Sequence, residues 1–221
     1  MFKVVEKFIS INGEGRLSGQ LAVFIRFAGC NLDCSFCDTR WANEKDVDYE
    51  LMTKEDIYKY IKFTKVKNIT LTGGEPLLQE RIMELLEYLS KDEYLLVEIE
   101  TNGSIDLKKF SRIEKNRPKF TMDYKLMSSN MEDKMVIDNF KYLNKNDTVK
   151  FVVGTIDDLN KAKYLIDKYE LTNKTNVYLS PVFGEIDMNE IVEFMKNNKM
   201  NEVTLQIQLH KVIWHPDKKG V

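Results

Sequence analysis

Short apolar runs alternate with amphipathic segments along this chain, and the alternation restricts its possible folds more than any other feature. Residues 21–27, 68–72 and 95–100 are rich in β-branched and apolar side chains, as in strands that are buried on both faces. Residues 53–65 and 79–90 carry apolar side chains on one helical face. Strands and helices that alternate in this way form a parallel sheet with right-handed crossovers.

The later part of the chain continues the pattern. It predicts strands at residues 120–124, 148–153, 176–179 and 203–207, helices at 157–169 and 187–196, and a weaker helix that begins at Asp106. A closed eight-unit barrel takes about 250 residues, whereas this chain has 221 residues and only six or seven predicted strands. We therefore expect a single α/β domain over residues 1–221, an open, partial barrel of six or so parallel strands with helices outside.

Composition restricts the cellular compartment and the binding partners of such a domain. The 33 basic residues are balanced by 35 acidic ones, which argues against a nucleic-acid-binding domain. The apolar runs are shorter than the roughly 18 residues of a membrane span, and the first residues lack the apolar core of a signal peptide. An odd number of cysteines in one cluster indicates a reducing compartment. We expect a soluble cytoplasmic protein that binds neither nucleic acid nor a membrane.

The three cysteines of the chain, Cys30, Cys34 and Cys37, follow the strand at residues 21–27 with the spacing C-x3-C-x2-C. A structural zinc site uses four protein ligands, and His210 or His215 could be the fourth, so a zinc-binding module stays open. A 4Fe-4S cluster held by three cysteines leaves one iron free for an external ligand. Clusters that only carry electrons normally have every iron held by cysteine, so this pattern favours a cluster that binds a small molecule.

The cysteine motif, with Phe36 just before its last member, resembles that of the radical S-adenosylmethionine (SAM) enzymes. In those enzymes the open iron binds SAM, and one electron from the cluster cleaves SAM to methionine and a 5′-deoxyadenosyl radical. The resemblance also implies a Gly-Gly-Glu-Pro turn after the second barrel strand, and Gly73-Gly74-Glu75-Pro76 follows a predicted strand here. Glycine suits that turn because its backbone approaches a ligand with no Cβ in the way.

Further motifs extend over nearly the whole length and resemble those of the 7-carboxy-7-deazaguanine synthase family. They are Ser10-Ile11-Asn12-Gly13-Glu14-Gly15, Phe24-Ile25-Arg26, Cys37-Asp38-Thr39, Glu100-Thr101-Asn102-Gly103 and Gln208-Leu209-His210-Lys211. The resemblance implies conversion of 6-carboxy-5,6,7,8-tetrahydropterin to 7-carboxy-7-deazaguanine, a precursor of queuosine. The radical removes the hydrogen at C6, the ring contracts, the hydrogen returns to regenerate SAM, and ammonia leaves.

The same resemblance implies roles for individual residues. Substrate contacts are implied for Ile11, Asn12, Gly13, Glu14, Arg26, Thr72 and His210, with Arg26 on the carboxylate and Glu14 on the guanidine-like edge of the ring. Contacts to SAM are implied for Phe36, Asp38, Gly74, Glu75, Asp123, Tyr124, Lys125, Ser180 and Pro181. Thr39 corresponds to a ligand of Mg²⁺, and a hydroxyl oxygen suits that hard cation.

The chain departs from the family pattern at three places. Asn12 stands where glutamine is usual, Asp123-Tyr124 stand where Ser-Pro is common, and in the turn at Ser180 only Pro181 matches well. Some family members bring a terminal carboxylate into the site, a role that we do not assign to Val221. The family also implies a homodimer and an electron donor such as flavodoxin or ferredoxin.

An enzyme that activates glycyl-radical proteins is an alternative with the same cysteine spacing. Such an enzyme would need neither Thr39 as a magnesium ligand nor the early Asn-Gly-Glu-Gly turn.

Overall fold

The computed structural model of the chain describes residues 1–216 and 218–221. In that part of the chain, nine strands form one sheet in the order β3-β1-β2-β4-β5-β6-β7-β8-β9. The strands are β1 (Phe2–Ile11), β2 (Leu21–Phe27), β3 (Glu50–Met52), β4 (Asn68–Gly73), β5 (Leu96–Thr101), β6 (Lys119–Tyr124), β7 (Thr148–Val153), β8 (Asn176–Pro181) and β9 (Val203–Leu205).

The helices are α1 (Lys54–Thr64), α2 (Ile82–Leu89), α3 (Ile156–Tyr169), α4 (Leu171–Lys174), α5 (Met188–Asn197) and α6 (Leu209–Ile213). Helices α1 to α5 lie between strands, as the alternation predicts, whereas α6 follows β9 and the connections from β5 to β6 and from β6 to β7 contain only 3-10 turns among the described residues. Thr53 and Asp56 form a capping box at the start of α1, which satisfies two backbone N–H groups that the helix cannot pair internally. No helix among the described residues is long and apolar enough to cross a membrane.

The predicted parallel sheet is confirmed for β2, β4, β5, β6, β7, β8 and β9, each of which pairs in parallel with its neighbour. These strands form an α/β sheet that is not closed, because the order runs from β3 at one edge to β9 at the other without a pairing between the two edges in the described residues.

The N-terminal segment corrects the prediction. Residues 2–11 form a long strand that is antiparallel to both β2 and β3, although the charges at Lys3, Glu6 and Lys7 hide the strand pattern in the sequence. Phe2 and Val4 alternate with exposed neighbours and are buried in the core, which is the signature of a half-buried strand.

Two further corrections concern helices. The helix predicted at Asp106 is absent from that described segment, which has only a 3-10 turn at Phe110–Arg112. Asp106 instead accepts a hydrogen bond from the backbone N–H of Lys108 at 2.8 Å, a local turn that competes with helix. The segment after β9 contains α6, a helix that the sequence pattern does not predict.

Strand alternation gives the sheet one apolar and one polar face. Ile25, Leu71, Ile99, Met122 and Phe151 are fully buried in the hydrophobic core. Their immediate neighbours in the same strands point to the opposite face. Those neighbours are the polar residues Arg26, Thr72, Glu100, Asp123 and Lys150, and all of them line one cavity.

Candidate active site

The cavity lies on the polar face of the sheet and has a volume of about 680 Å³. In a parallel α/β sheet the loops at the carboxyl ends of the strands form the binding site. The cavity follows that rule, since the loops after β2, β4, β5 and β8 all contribute to its wall, together with the loop after β1 and with α6.

All three cysteines of the loop after β2 line the cavity. The loop is held in place by backbone and side-chain hydrogen bonds: Ser35 Oγ donates to Ser128 O at 2.6 Å, and Arg40 Nη2 donates to Cys34 O at 2.9 Å. The three thiols form no disulfide, and that of Cys30 accepts hydrogen bonds from the N–H of Leu32 at 3.4 Å and from Asn102 Nδ2 at 3.5 Å. Hydrogen bonds from neighbouring segments therefore hold the loop, and one of its thiols takes part in them.

The donor set fits an iron–sulfur cluster. Burial is the largest influence on Cys30 and Cys34 and raises the pKa of each thiol. Among the described residues no three His, Cys, Asp or Glu side chains converge to hold a single metal ion. In a 4Fe-4S cubane each of the three thiolates binds a different iron. The three cysteines therefore need to line the same cavity, but their sulfur atoms do not need to meet at one metal ion.

The Gly-Gly-Glu-Pro turn packs so closely against the start of the cysteine loop that no side chain fits at Gly74; we call this contact, with Gly29 and Asn43, the cradle. Gly74 N donates to Phe27 O at 3.2 Å and Glu75 N donates to Gly29 O at 2.9 Å. A Cβ built on Gly74 would overlap the carbonyl oxygen of Gly29 and the side-chain oxygen of Asn43. That Asn43 oxygen is buried and has no hydrogen-bond partner, so the cradle presents an unused acceptor to a ligand that carries N–H or O–H groups.

Glu75 does not line the cavity, but its buried carboxylate holds the turn in place through hydrogen bonds. Its carboxylate accepts hydrogen bonds from Thr101 Oγ1 at 2.9 Å, from the backbone N–H of Asn102 at 2.7 Å and from that of Leu77 at 3.0 Å. Complete burial raises its pKa to about 7 in spite of these donors. Asn102 in turn donates to Asn31 Oδ1 at 3.1 Å, so the turn after β4 and the cysteine loop are tied through the end of β5.

The loop after β1 is closed from the far end of the chain. Gln206 accepts from the N–H of Gly15 at 2.8 Å and donates to its carbonyl at 2.9 Å. Leu209 N donates to Gly13 O at 3.0 Å, and a Cβ on Gly13 would overlap the imidazole of His210. Glycine at position 13 thus lets His210 reach the cavity. Burial lowers the pKa of His210, which favours the neutral imidazole.

A chain of opposite charges crosses the cavity floor. Lys150 Nζ lies 3.0 Å from Glu14 and 3.5 Å from Asp123, which is itself 2.9 Å from Lys125. Burial disfavours the charged form of Lys150, but Glu14, Asp123 and Glu100 outweigh it and raise its pKa. Burial also raises the pKa of Glu100. The floor therefore holds a compensated set of charges that links the loop after β1 to the cysteine loop.

Arg26 and Glu6 form a second ion pair on the wall, with Arg26 Nε donating to Glu6 Oε2 at 3.0 Å. Nearby on the cysteine loop, Thr39 Oγ1 donates to Asp38 Oδ1 at 2.9 Å, and Lys211 Nζ lies 3.4 Å from the Asp38 carboxylate. These groups place a cationic point and an oxygen-rich point on the lining of the same cavity.

Most of the predicted site residues line this cavity. They are Ile11, Gly13, Glu14, Arg26, Cys30, Cys34, Phe36, Cys37, Asp38, Thr39, Thr72, Gly74, Asp123, Lys125, Pro181 and His210. The lining does not include Asn12, Glu75, Tyr124 or Ser180.

The residues outside the lining have identifiable places. Asn12 is buried and accepts from Thr70 Oγ1 at 2.8 Å, behind the cavity wall. Tyr124 packs its ring against Phe140 and Phe151, with centroid separations of 5.3 and 5.6 Å. Ser180 Oγ donates to Glu14 Oε1 at 2.9 Å and so supports a residue that does line the cavity.

Several lining residues received no site role from the sequence. Phe24, Glu100 and Lys211 stand in the quoted motifs without a role, and the others are Glu6, Phe8, Asn43 and Lys150. Two of them carry a signal that could have been used. Lys150 is a single charge inside an otherwise apolar strand, and Glu100 is one of two acids in β5. A charge in a doubly covered sheet requires a partner or a polar cavity.

Three comparisons bear on this site. The model of the radical SAM superfamily matches residues 24–196. The chain is 64% identical to the 7-carboxy-7-deazaguanine synthase of Clostridium acetobutylicum, over 100% of this chain and 99% of that one. It is 36% identical to that of Methanospirillum hungatei, over 97% and 86% of the two chains. The crystal structure of QueE from Escherichia coli superposes with a TM-score of 0.72 at 21% identity, covering 94% and 93% of the chains.

Proposed function

The chain belongs to the radical SAM superfamily and, within it, to the 7-carboxy-7-deazaguanine synthases, and from that membership we propose that it converts 6-carboxy-5,6,7,8-tetrahydropterin to 7-carboxy-7-deazaguanine. The observation that carries this proposal is the 64% identity to a relative of that name across the whole chain. The co-location of the cysteine loop, the glycine cradle and the loop after β1 around one cavity supports it.

Family membership brings with it a 4Fe-4S cluster and SAM. We assign Cys30, Cys34 and Cys37 to the cluster and the cradle at Gly74 to the methionine end of SAM. When bound, these groups supply the 5′-deoxyadenosyl radical that removes hydrogen from C6 of the substrate. Asp123 has one buried carboxylate oxygen without a hydrogen-bond partner, and this acceptor, with Lys125 beside it, suits the polar groups of SAM.

We assign the substrate to the part of the cavity that is lined by Arg26, Glu14 and His210. Arg26 provides a cationic fork for the carboxylate at C6, and Glu14 accepts N–H groups from the amino-pyrimidine edge. Lys150 and Ser180 hold the Glu14 carboxylate from behind, so its orientation is set before the ring arrives. His210, on α6, contacts the bound pterin ring as a neutral imidazole. We expect the bound ring to displace water from the apolar part of the wall, where Phe8 and Phe24 lie.

We assign Mg²⁺ to Thr39, a residue that lies on the cysteine loop and lines the cavity. Mg²⁺ keeps most of its waters and takes one or two oxygen ligands from protein and substrate. Asp38 accepts the hydroxyl hydrogen of Thr39, which leaves the lone pairs of that oxygen available for a cation and fixes the rotamer.

The remaining assignments follow the family. We propose a single domain over residues 1–221 that works as a homodimer in the cytoplasm. The cluster requires a one-electron reductant, for which we propose a flavodoxin or a ferredoxin.

The decisive experiment uses the full-length protein, reconstituted anaerobically with iron and sulfide. It is incubated with the carboxypterin, SAM, Mg²⁺ and a reductant, and 7-carboxy-7-deazaguanine is measured by mass spectrometry. We expect product with no net consumption of SAM. Reconstituted protein that contains about four irons and cleaves SAM, yet forms no deazaguanine, would contradict the substrate assignment and support the glycyl-radical alternative. Colourless protein with one zinc per chain would contradict both.

A further inference from the structure

We propose that Glu6 is a positioning residue for substrate recognition: it holds Arg26 by Nε so that the terminal amino groups of the guanidinium face the carboxylate of a planar ligand in the cavity. The inference deepens the proposed function and rests on it for the identity of that ligand.

A β-bulge in β1 brings Glu6 to this position. The strand register pairs Val4 with Phe27 but Glu6 with Arg26, so Val5 is an extra residue. In an unbroken antiparallel register Val5 would lie opposite Arg26, and Glu6 would lie opposite Ile25, which is fully buried in the core. The bulge therefore moves Glu6 from the core face to the cavity face. Bulges next to active sites commonly re-aim a side chain in this manner.

The contact between the two side chains leaves the recognition end of Arg26 free. Arg26 Nε is 3.0 Å from Glu6 Oε2, and the side chains are 18% and 19% exposed. A guanidinium carries five N–H donors; among the described residues the four on its terminal nitrogens have no hydrogen-bond partner, since Arg26 makes one side-chain hydrogen bond. A purely structural ion pair of this type gains most from two parallel hydrogen bonds, a geometry that Arg26 does not use here.

The next pair along the same face gives the chemistry of the ligand. Phe8 lies opposite Phe24 in the register, two residues from Glu6 and Arg26 respectively. The two rings are stacked, with centroids 5.0 Å apart and planes at 6°, and both line the cavity. The wall therefore presents a flat apolar surface beside a cationic fork, which suits a ring that carries a carboxylate.

Other acids in the cavity compete with the substrate carboxylate for Arg26. The guanidinium acts electrostatically on both Asp38 and Glu100, and both line the cavity. An Arg26 side chain that has lost its anchor on β1 is expected to turn toward these carboxylates, because a partly buried cation seeks a partner. Glu6 thus keeps the guanidinium available to the substrate.

The test compares ligand binding by wild type, Glu6→Gln, Glu6→Ala, Arg26→Ala and the double variant Glu6→Ala/Arg26→Ala. Each is prepared as the reconstituted full-length protein without reductant, so that binding is measured separately from turnover. The ligands are the 6-carboxy-tetrahydropterin, tetrahydropterin without the carboxylate, and SAM. Glu50→Gln is the matched control, since Glu50 forms an ion pair with Lys7 on the same strand but lies outside the cavity.

We expect Glu6→Ala to weaken binding of the carboxypterin by about ten-fold or more, the scale of a hydrogen bond to a charged group, and Glu6→Gln to weaken it less. Affinity for tetrahydropterin and for SAM should stay within about two-fold, and turnover should show a raised KM with kcat nearly unchanged. In the Arg26→Ala background, Glu6→Ala should add no further loss.

Equal losses for the two pterins, additive losses in the double variant, or a parallel loss of SAM affinity would overturn the proposal and make Glu6 a structural residue only. Absence of deazaguanine from wild type would defeat the proposed function without deciding this point. If wild type also fails to bind the carboxypterin, a crystal structure of Glu6→Ala decides it. A guanidinium that turns toward Glu100 or Asp38 supports the positioning role, and an unchanged guanidinium overturns it.

Discussion

Lys150 Nζ lies 3.0 Å from Glu14 Oε2, and this pair joins the middle of β7 to the loop after β1 across the cavity floor. Both side chains are largely buried, at 11% and 12% exposure. Removing water from two charges is costly, and a buried pair recovers that cost only when each partner keeps its counter-charge. Lys150 also faces Asp123 and Glu100, so it compensates more than one acid.

Replacement of Lys150 by methionine should therefore destabilise the fold. Lys150→Met keeps most of the volume but leaves Glu14 and Asp123 without their shared cation, and loss of one partner of a buried pair costs about 3–5 kcal/mol. Denaturant unfolding at neutral pH measures the change. Lys163→Met is the control, because Lys163 pairs with Asp167 on the surface of α3 and such pairs contribute about 0.2–1 kcal/mol. Equal effects of the two substitutions would contradict the role of Lys150.

Gly74→Ala should abolish the SAM site. The new methyl group would overlap the Gly29 carbonyl and the Asn43 side chain, so the turn after β4 would have to move away from the cysteine loop. We expect SAM affinity, measured by equilibrium dialysis on reconstituted protein, to fall by at least about ten-fold, since 1.4 kcal/mol of strain corresponds to that factor. Gly154→Ala tests the specificity of the effect, because Gly154 has no left-handed φ, lies outside the cavity lining, and the atoms nearest to a Cβ there belong to the side chains of Glu185 and Ser128. Unchanged SAM affinity in Gly74→Ala would remove the cradle from the site.

The hydroxyl of Thr39 should set the response to magnesium. Thr39→Val removes the oxygen at nearly constant shape, whereas Thr39→Ser keeps it. We expect the Mg²⁺ concentration for half-maximal activity to rise at least about ten-fold in the valine variant, and Asp38→Asn to give a smaller rise because Asp38 orients the hydroxyl. Activity that survives exhaustive chelation in wild type, or identical Mg²⁺ curves for valine and serine, would exclude Thr39 as a ligand.

Glu98 should make the fold less stable as pH rises toward neutrality. It lies beside Thr121, and burial raises its pKa from 4.5 to about 7. Between those values the folded protein keeps a proton that the unfolded chain has lost, so the free energy of unfolding falls as pH rises from about 4.5 to about 7 and is level above that.

Glu98→Gln removes this titration. At pH 8 we expect the variant to exceed wild type in stability by on the order of 3 kcal/mol, at 1.4 kcal/mol per pKa unit, with a shallower pH dependence. Some dependence should remain, because the pKa of the buried Glu75 is also raised to about 7. Denaturant unfolding from pH 4.5 to 8 measures both, with the exposed Glu87→Gln as control. A variant with the pH profile of wild type would contradict the assignment.

The parallel sheet and its motif loops could be predicted because their signals are local. A buried strand needs a run of apolar residues and a cofactor loop needs closely spaced ligands, so Cys30, Cys34 and Cys37 are visible in sequence. Glu6 was not predictable, because its position opposite Arg26 depends on a bulge in a register that the sequence does not state. The charge of Lys150 inside an apolar strand is visible in the sequence, but its partners Glu14 and Asp123 could be identified only from the fold around β7.

Side-chain direction explains the rest of the difference. Asp123 and Lys125 line the cavity while Tyr124 between them faces the core, as the two-residue period of a strand requires. Assignment of the three as a contiguous SAM-binding segment ignores that period. Asn12 behaves likewise, since its side chain points behind the wall that its neighbours Ile11 and Gly13 form.

The reciprocal hydrogen bonds between Gly15 and Gln206 join residues that are 191 positions apart in the sequence. Synthesis delivers the N-terminal part first, so the loop after β1 waits for nearly the whole chain before its partner exists. Contacts of such long range also form late, because the cost of closing the loop comes before the contact can stabilise it. Strands β1 to β8 and the cysteine loop are therefore made before the contact that closes the loop after β1, and we expect that part of the cavity to form among the last.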